Sequence, residues 1–135
     1  MAKVLIDTSV WIEFYHPKGA AVVKEEVRAA LERDDVATTT PVVVELLSGV
    51  RKKSDYNMVR EDLASLAFLP LTWAEAMLGA EIAWKLARMG KRIPTVDLLV
   101  SAAAKRHGYE VWHFGDEHFA IAEKAGGARQ RSLAR

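Results

Sequence analysis

Cysteine is absent from this 135-residue chain. That excludes disulfides, zinc–thiolate centres, iron–sulfur clusters and a cysteine nucleophile, and it fits a reducing cytoplasm. Long apolar runs are absent too. The stretch from Leu98 to Ala104 is broken by Ser101 and falls far short of the roughly 20 residues that span a bilayer. Residues 1–7 reach an acid after three apolar residues, too few for a secretory signal, so a cytoplasmic protein without membrane contact is expected. No glycine-rich loop is followed by Lys-Ser or Lys-Thr, and no G-x-G-x-x-G occurs, which leaves P-loop and dinucleotide chemistry unsupported. A phosphatase with a nucleophilic aspartate at position 7 usually has a second one two residues on, where Ser9 stands. His16, His107, His113 and His118 show no H-E-x-x-H spacing and read as surface or structural residues, with His118 beside the acids discussed below. Net charge is only +1, so the total charge announces no polyanion partner.

What is present is an ordinary globular composition, 50% hydrophobic and 27% charged, of a size suited to one domain covering residues 1–135. The charge is unevenly spread. Residues 1–84 hold 9 Lys/Arg against 13 Asp/Glu, a balance of −4, and residues 85–135 hold 10 against 5, a balance of +5.

Val4-Leu5-Ile6 is a short wholly apolar run, as expected of a strand buried on both faces. Trp11, Phe14 and Tyr15 follow at helical spacing, and Pro17-Lys18-Gly19 breaks that helix. Val22 to Arg33 reads as a second helix and Val36 to Thr38 as a second strand. Thr40-Pro41 starts a helix with Thr40 as its cap, running toward Lys53, and a further helix follows from Ser54 to Ala67. Residues 68–71 are extended, Thr72-x-x-Glu75 is a capping box opening a helix to Met89, and Thr95 caps the next helix, which ends at Gly108. Tyr109 to Phe114 reads as a strand, Asp116 to Lys124 as a last helix closed by Gly126-Gly127. Strands alternating with helices, without a tight hairpin signal, argue for an α/β fold with a central parallel sheet between helical layers. Ligand sites in such sheets lie beyond the carboxyl ends of the strands.

Four acids stand where chemistry is expected. Asp7 follows the first strand and Asp116 follows the last. Either can serve merely as a helix cap, but on adjacent strands their charges would need a cation or a proton between them. Asp97 lies in the first turn of a helix that is apolar nearly all round; it can complement the helix dipole, yet an acid buried there wants a partner. Glu45 is the sole polar residue between Pro41 and Ser48. An all-oxygen set of this kind suits Mg²⁺ or Mn²⁺, ions that serve phosphate chemistry.

With these residues in view, the segments Asp7-Thr8-Ser9, Glu45 to Gly49, Thr95 to Ala104 and Asp116 to Phe119 resemble the PIN domain, in particular VapC-type toxins of toxin–antitoxin pairs. The resemblance runs from about Lys3 to Ile121 and implies a three-layer PIN-like fold with about four to five short parallel strands. It implies a metal-dependent endoribonuclease in which Asp7, Glu45, Asp97 and Asp116 bind Mg²⁺ or Mn²⁺, supported by Thr8 and Ser9. It also implies a homodimer held inactive by a small antitoxin. The chain departs from the family's pattern at its last motif: His118 stands where a second acid often follows, and Phe114-Gly115 replace a hydroxyl residue ahead of Asp116.

Two basic clusters, Arg51-Lys52-Lys53 and the pair Arg88 and Arg92, are candidates for RNA phosphate contacts, or they are simply solvated helix ends. Trp11, Tyr15, Leu46 and Val50 are candidates for a groove that seats a partner helix, although an aromatic face is more often core. Trp73, Met77 and Trp84 form another apolar stripe, either core or dimer surface. A reading of a different class also stands: a catalytically weak PIN module that binds RNA or protein, which metal binding and RNA cleavage would separate from the nuclease.

Overall fold

The computed structural model describes residues 2–135. Among these residues, five short strands form one sheet in the order β3-β2-β1-β4-β5, every neighbouring pair parallel. They are β1 (Val4–Ile6), β2 (Val36–Thr39), β3 (Ala67–Leu69), β4 (Glu110–His113) and β5 (Gln130–Ser132). Seven helices of the described residues flank them: α1 (Thr8–Tyr15), α2 (Ala21–Glu32), α3 (Thr40–Ser48), α4 (Lys53–Ala64), α5 (Trp73–Arg88), α6 (Thr95–His107) and α7 (Glu117–Lys124). This is the α/β architecture expected from the alternation of apolar runs and amphipathic segments.

The apolar run at the start becomes the central strand, and Val4, Leu5 and Ile6 are wholly buried. Val36, Ala37, Val111 and Trp112 on its two neighbours join the same core, against Val23, Val27 and Ala30 of α2, Val42 and Leu46 of α3, and Val100, Ala103 and Ala104 of α6. A second, smaller cluster ties α5 to α6 and α7 through Ile82, Leu86, Leu98 and Ala122. No described helix is long and apolar enough to cross a membrane.

Local departures from the sequence reading have physical causes. Thr40 and Thr95 are first residues of their helices, not caps; the caps are Thr39, which is extended, and Pro94. The Thr39 hydroxyl does not cap either, because it donates to the Leu69 carbonyl (2.6 Å) and links β2 to β3. Helix α3 stops at Ser48, and α4 starts afresh at Lys53. The capping box does form: Thr72 N–H donates to Glu75 Oε1 at 2.6 Å. Glu75 is itself buried, and its second oxygen takes Arg106 Nε at 3.0 Å, clamping α5 to the end of α6.

Candidate active site

The strand order decides the site. Strands β2 and β4 both flank β1, so the residues that leave β1 and β4 emerge side by side at the carboxyl edge of the sheet. The Asp7 N–H extends the ladder to the Trp112 carbonyl at 2.9 Å. Asp7 is the cap of α1, accepting from Ser9 N–H (3.1 Å) and Ser9 Oγ (2.6 Å). Asp116 is the cap of α7, accepting from His118 N–H at 2.9 Å. Capping and site formation are thus compatible, since a cap leaves one carboxylate oxygen for other partners.

Asp97 comes from the first turn of α6 and completes the group. The three carboxylates sense one another. Burial pushes the Asp97 carboxyl up to about 6, reinforced by the charges of Asp116 and Asp7 and opposed by a hydrogen bond from His118. Burial also raises Asp7, opposed by the Ser9 hydrogen bonds and assisted by Asp116. Crowded, partly desolvated oxygens with raised affinity for a proton are the donor set that suits a hard divalent cation.

Glu45 is placed differently. It is exposed, as is Val44 (61%), so the apolar run on α3 does not bury its acid; Val42 and Leu46 are buried, with Val43 and Leu47 packed partly against the core. Its link to the site is Thr8, whose hydroxyl donates to Glu45 Oε1 at 3.0 Å, directly beside Asp7. Glu45 therefore stands at the rim, while Asp7, Asp97 and Asp116 form the centre.

His118 joins that centre, a role the histidine spacing did not reveal. Its Nδ1 lies 2.9 Å from Asp97 Oδ2 and 3.1 Å from Asp116 Oδ1. A position two residues into the helix that Asp116 caps was the available signal.

The missing hydroxyl ahead of Asp116 is replaced from elsewhere. Three consecutive backbone N–H groups of the β4–α7 turn each donate to a side chain at 3.0 Å: Phe114 to Ser9 Oγ, Gly115 to Ser132 Oγ, and Asp116 to His113 Nδ1. Gly115 makes this possible by adopting φ +74°, a left-handed conformation that side chains disfavour. Because His113 Nδ1 accepts, its Nε2 carries the proton and donates to Gln130 Oε1 at 2.6 Å. His113 is buried and stacked on Phe119, the structural role expected of it.

A groove of about 610 Å³ between α1, α3 and α4 is lined by Ile12, Tyr15, Glu45, Leu46, Val50 and Arg51, among others. Trp11 does not belong to it and corrects the sequence reading. Only 1% of Trp11 is exposed, since it packs inward in the core with its ring stacked on Tyr15. Tyr15 sits at the boundary, its hydroxyl donating to Asp62 of α4 at 2.6 Å. Of the basic residues, Arg51 shares the groove with Glu45, with Lys52 and Lys53 next to it at the α3–α4 corner, and Lys53 Nζ lies 4.5 Å from the centre of the Tyr56 ring. Arg88 covers the exposed Trp84 ring, 4.8 Å from its centre. Arg92 lines a separate recess that reaches Thr95 at the start of α6, two residues from Asp97.

Ribonuclease VapC18 of Mycobacterium tuberculosis is 26% identical over 125 residues, covering 90% of this chain and 88% of that protein. Ribonuclease VapC11 of the same species is 29% identical over 114 residues, covering 82% and 84%. Among solved structures, VapBC2 from Rickettsia felis bound to a promoter DNA fragment superposes with a TM-score of 0.77 at 15% identity, over 96% of this chain and 98% of that one. FitAcB from Neisseria gonorrhoeae gives 0.76 at 23% identity, over 94% and 95%. The family model described as PIN domain matches residues 4–125, and the chain belongs to the PIN domain family.

Proposed function

We propose that this protein is a metal-dependent endoribonuclease, the toxin of a toxin–antitoxin pair. The observation that carries the reading is the convergence of Asp7, Asp97 and Asp116 from three separate elements at the carboxyl edge of the central strands, in a PIN domain chain whose relatives are named VapC ribonucleases. Asp7, Asp97 and Asp116, with Glu45 at the rim, would hold Mg²⁺ or Mn²⁺. When bound, such an ion neutralises the crowded carboxylates, polarises a phosphodiester and makes water a stronger nucleophile.

The chain's own residues do the rest. Ser9 fixes Asp7 Oδ2 and, through Phe114 N–H, the turn that carries Asp116. Thr8 donates to Glu45 Oε1, so Glu45 Oε2 is the oxygen left to hold the ion or its water. Hydrolysis then joins the water oxygen to phosphorus, breaks one phosphorus–oxygen ester bond and delivers the proton to the departing oxygen. Arg51, Lys52 and Lys53 beyond Glu45, with Arg88 at the end of α5 and Arg92 ahead of α6, would neutralise phosphates flanking the cut.

The partner reading rests on the groove beside Glu45. Exposed Ile12 and Met58, with Leu46 and Val50, offer an apolar trough ending at an acidic pocket, suited to an amphipathic antitoxin helix bearing an Arg. The exposed Trp73, Met77 and Trp84 on α5 favour a homodimer. A single domain over residues 1–135 acting in the cytoplasm completes the proposal.

The deciding experiment is cleavage of a mixed RNA pool by purified protein with EDTA, Mg²⁺ or Mn²⁺, beside Asp7→Asn and Asp97→Asn. Metal-dependent cutting lost in both variants supports the nuclease. RNA or peptide binding without cutting by wild-type protein selects the binding-module reading instead.

A further inference from the structure

We infer that His118 is a nitrogen ligand of the acidic site and tilts its choice of ion away from Mg²⁺ toward transition ions such as Mn²⁺ and Co²⁺. The inference rests on the metal-site reading above and adds to it a donor of a different chemical class.

Three observations carry it. First, one donor atom each from Asp97, Asp116 and His118 lies within 4.8 Å of the others, so a single ion can reach all three. Second, the individual spacings fit coordination. His118 Nδ1 is 2.9 Å from one carboxylate oxygen and 3.1 Å from the other. Ligands at adjacent corners of an octahedron with bonds of about 2.1 Å lie about 3.0 Å apart. Third, the ring is held in register with its neighbour. The His118 N–H donates to Asp116 Oδ1, so ligand and imidazole ride on the same first turn of α7. The tautomer protonated at Nδ1 bridges the carboxylates through its N–H; the Nε2 tautomer turns a lone pair toward the same point.

The chemical consequence follows from ligand type. Mg²⁺ favours oxygen and holds its waters tightly, whereas imidazole nitrogen suits transition ions. A site of carboxylates and one imidazole therefore discriminates where a purely acidic one does so less.

The test measures binding, not cleavage. Metal-free protein is titrated calorimetrically with Mg²⁺, Mn²⁺ and Co²⁺, as wild type, His118→Asn, His118→Asp and Asp97→Asn. Wild type is expected to bind Mn²⁺ about tenfold more tightly than Mg²⁺, with a wider gap for Co²⁺. His118→Asn should lose most of that preference through weaker Mn²⁺ and Co²⁺ binding. His118→Asp should shift it toward Mg²⁺. Pulsed electron paramagnetic resonance of the Mn²⁺-loaded wild type should show coupling to a directly bound nitrogen, absent in His118→Asn. An unchanged ion preference in His118→Asn, or no nitrogen coupling in wild type, overturns the inference while leaving the acidic site intact. Unaltered Mn²⁺ binding by Asp97→Asn would instead remove the acidic site itself.

Discussion

Replacing Asp97 by Asn should make the metal-free protein more stable while destroying its response to Mg²⁺. The carboxyl titrates near 6 in the folded chain against an ordinary value of 3.8. About two units at 1.36 kcal/mol each amount to roughly 3 kcal/mol held against the folded state once the group ionises. The sign is fixed by linkage. Below about pH 4 both states are protonated and nothing is lost. Between about pH 4 and 6 the unfolded chain ionises first, so stability falls, and it stays low at higher pH. Asn keeps the shape without the charge, but it weakens the bond from His118, so a net gain of about 1–2 kcal/mol is expected at pH 7.5. For 135 residues, at about 2.1 cal/mol/K per residue, that is a rise of roughly 4–7 °C in Tm. The assay is thermal unfolding in EDTA at several pH values, repeated with millimolar Mg²⁺. Wild type should gain stability with the ion by mass action and the variant should not. A variant no more stable than wild type in EDTA at pH 7.5, yet equally stabilised by Mg²⁺, would refute both the crowding of charge and its purpose.

Glu75 carries the opposite sign. Hydrogen bonds from Thr72, then that from Arg106, hold it at about 2, below its ordinary 4.5, so its stabilisation is present above pH 4.5 and fades as pH falls toward 2. Glu75→Gln should cost about 1–3 kcal/mol at neutral pH, with its unfolding curve converging on wild type in strong acid. Trp11→Ala, which opens a core cavity, should cost about 3–5 kcal/mol by chemical denaturation. Ile12→Asp, at an exposed position of the same groove, should leave the melting temperature nearly unchanged and weaken an antitoxin-derived helical peptide in a titration. Neutralising Arg51, Lys52, Lys53, Arg88 and Arg92 should flatten the salt dependence of RNA binding by an uncleaving Asp97→Asn protein; an unaltered slope removes them from the interface.

Much of the fold was legible because its strands are apolar and its helices are well punctuated. Val4-Leu5-Ile6 could only be a buried strand, and Gly108, which adopts φ +76°, ends α6 as expected. Strand β5 left no such mark. Gln130, Arg131 and Ser132 are polar and partly or fully exposed, and they become a strand only because the β4 edge offers backbone partners. Asp7, Asp97 and Asp116 could be found from position alone, because each abuts an apolar element. Glu45 shows where the sequence reading of burial failed. Val44 beside it is exposed, and the link to the site runs through Thr8. Trp11 shows the limit of periodicity, which groups Trp11 with Phe14 and Tyr15 but does not say which side of α1 meets the sheet. Ser132 reaches Gly115 across a separation that no local pattern encodes, and His118, whose place beside Asp116 is visible in the sequence, reaches Asp97 only through the fold.

The seat of Asp116 has its moorings at the far end of the chain. Ser132 and Gln130 lie past residue 125, where the family match stops, yet one holds the Gly115 N–H and the other the ring that holds the Asp116 N–H. A fragment trimmed to the matched region would keep every acid and lose the berth of one of them. Such a fragment should bind Mn²⁺ more weakly than the full chain even where its circular dichroism is unchanged. The same dependence makes the outer edge of the sheet a remote handle. A rigid fusion joined just after Ser132, or a peptide that displaces β5 from β4, would slacken the turn that seats Asp116 without approaching the acids.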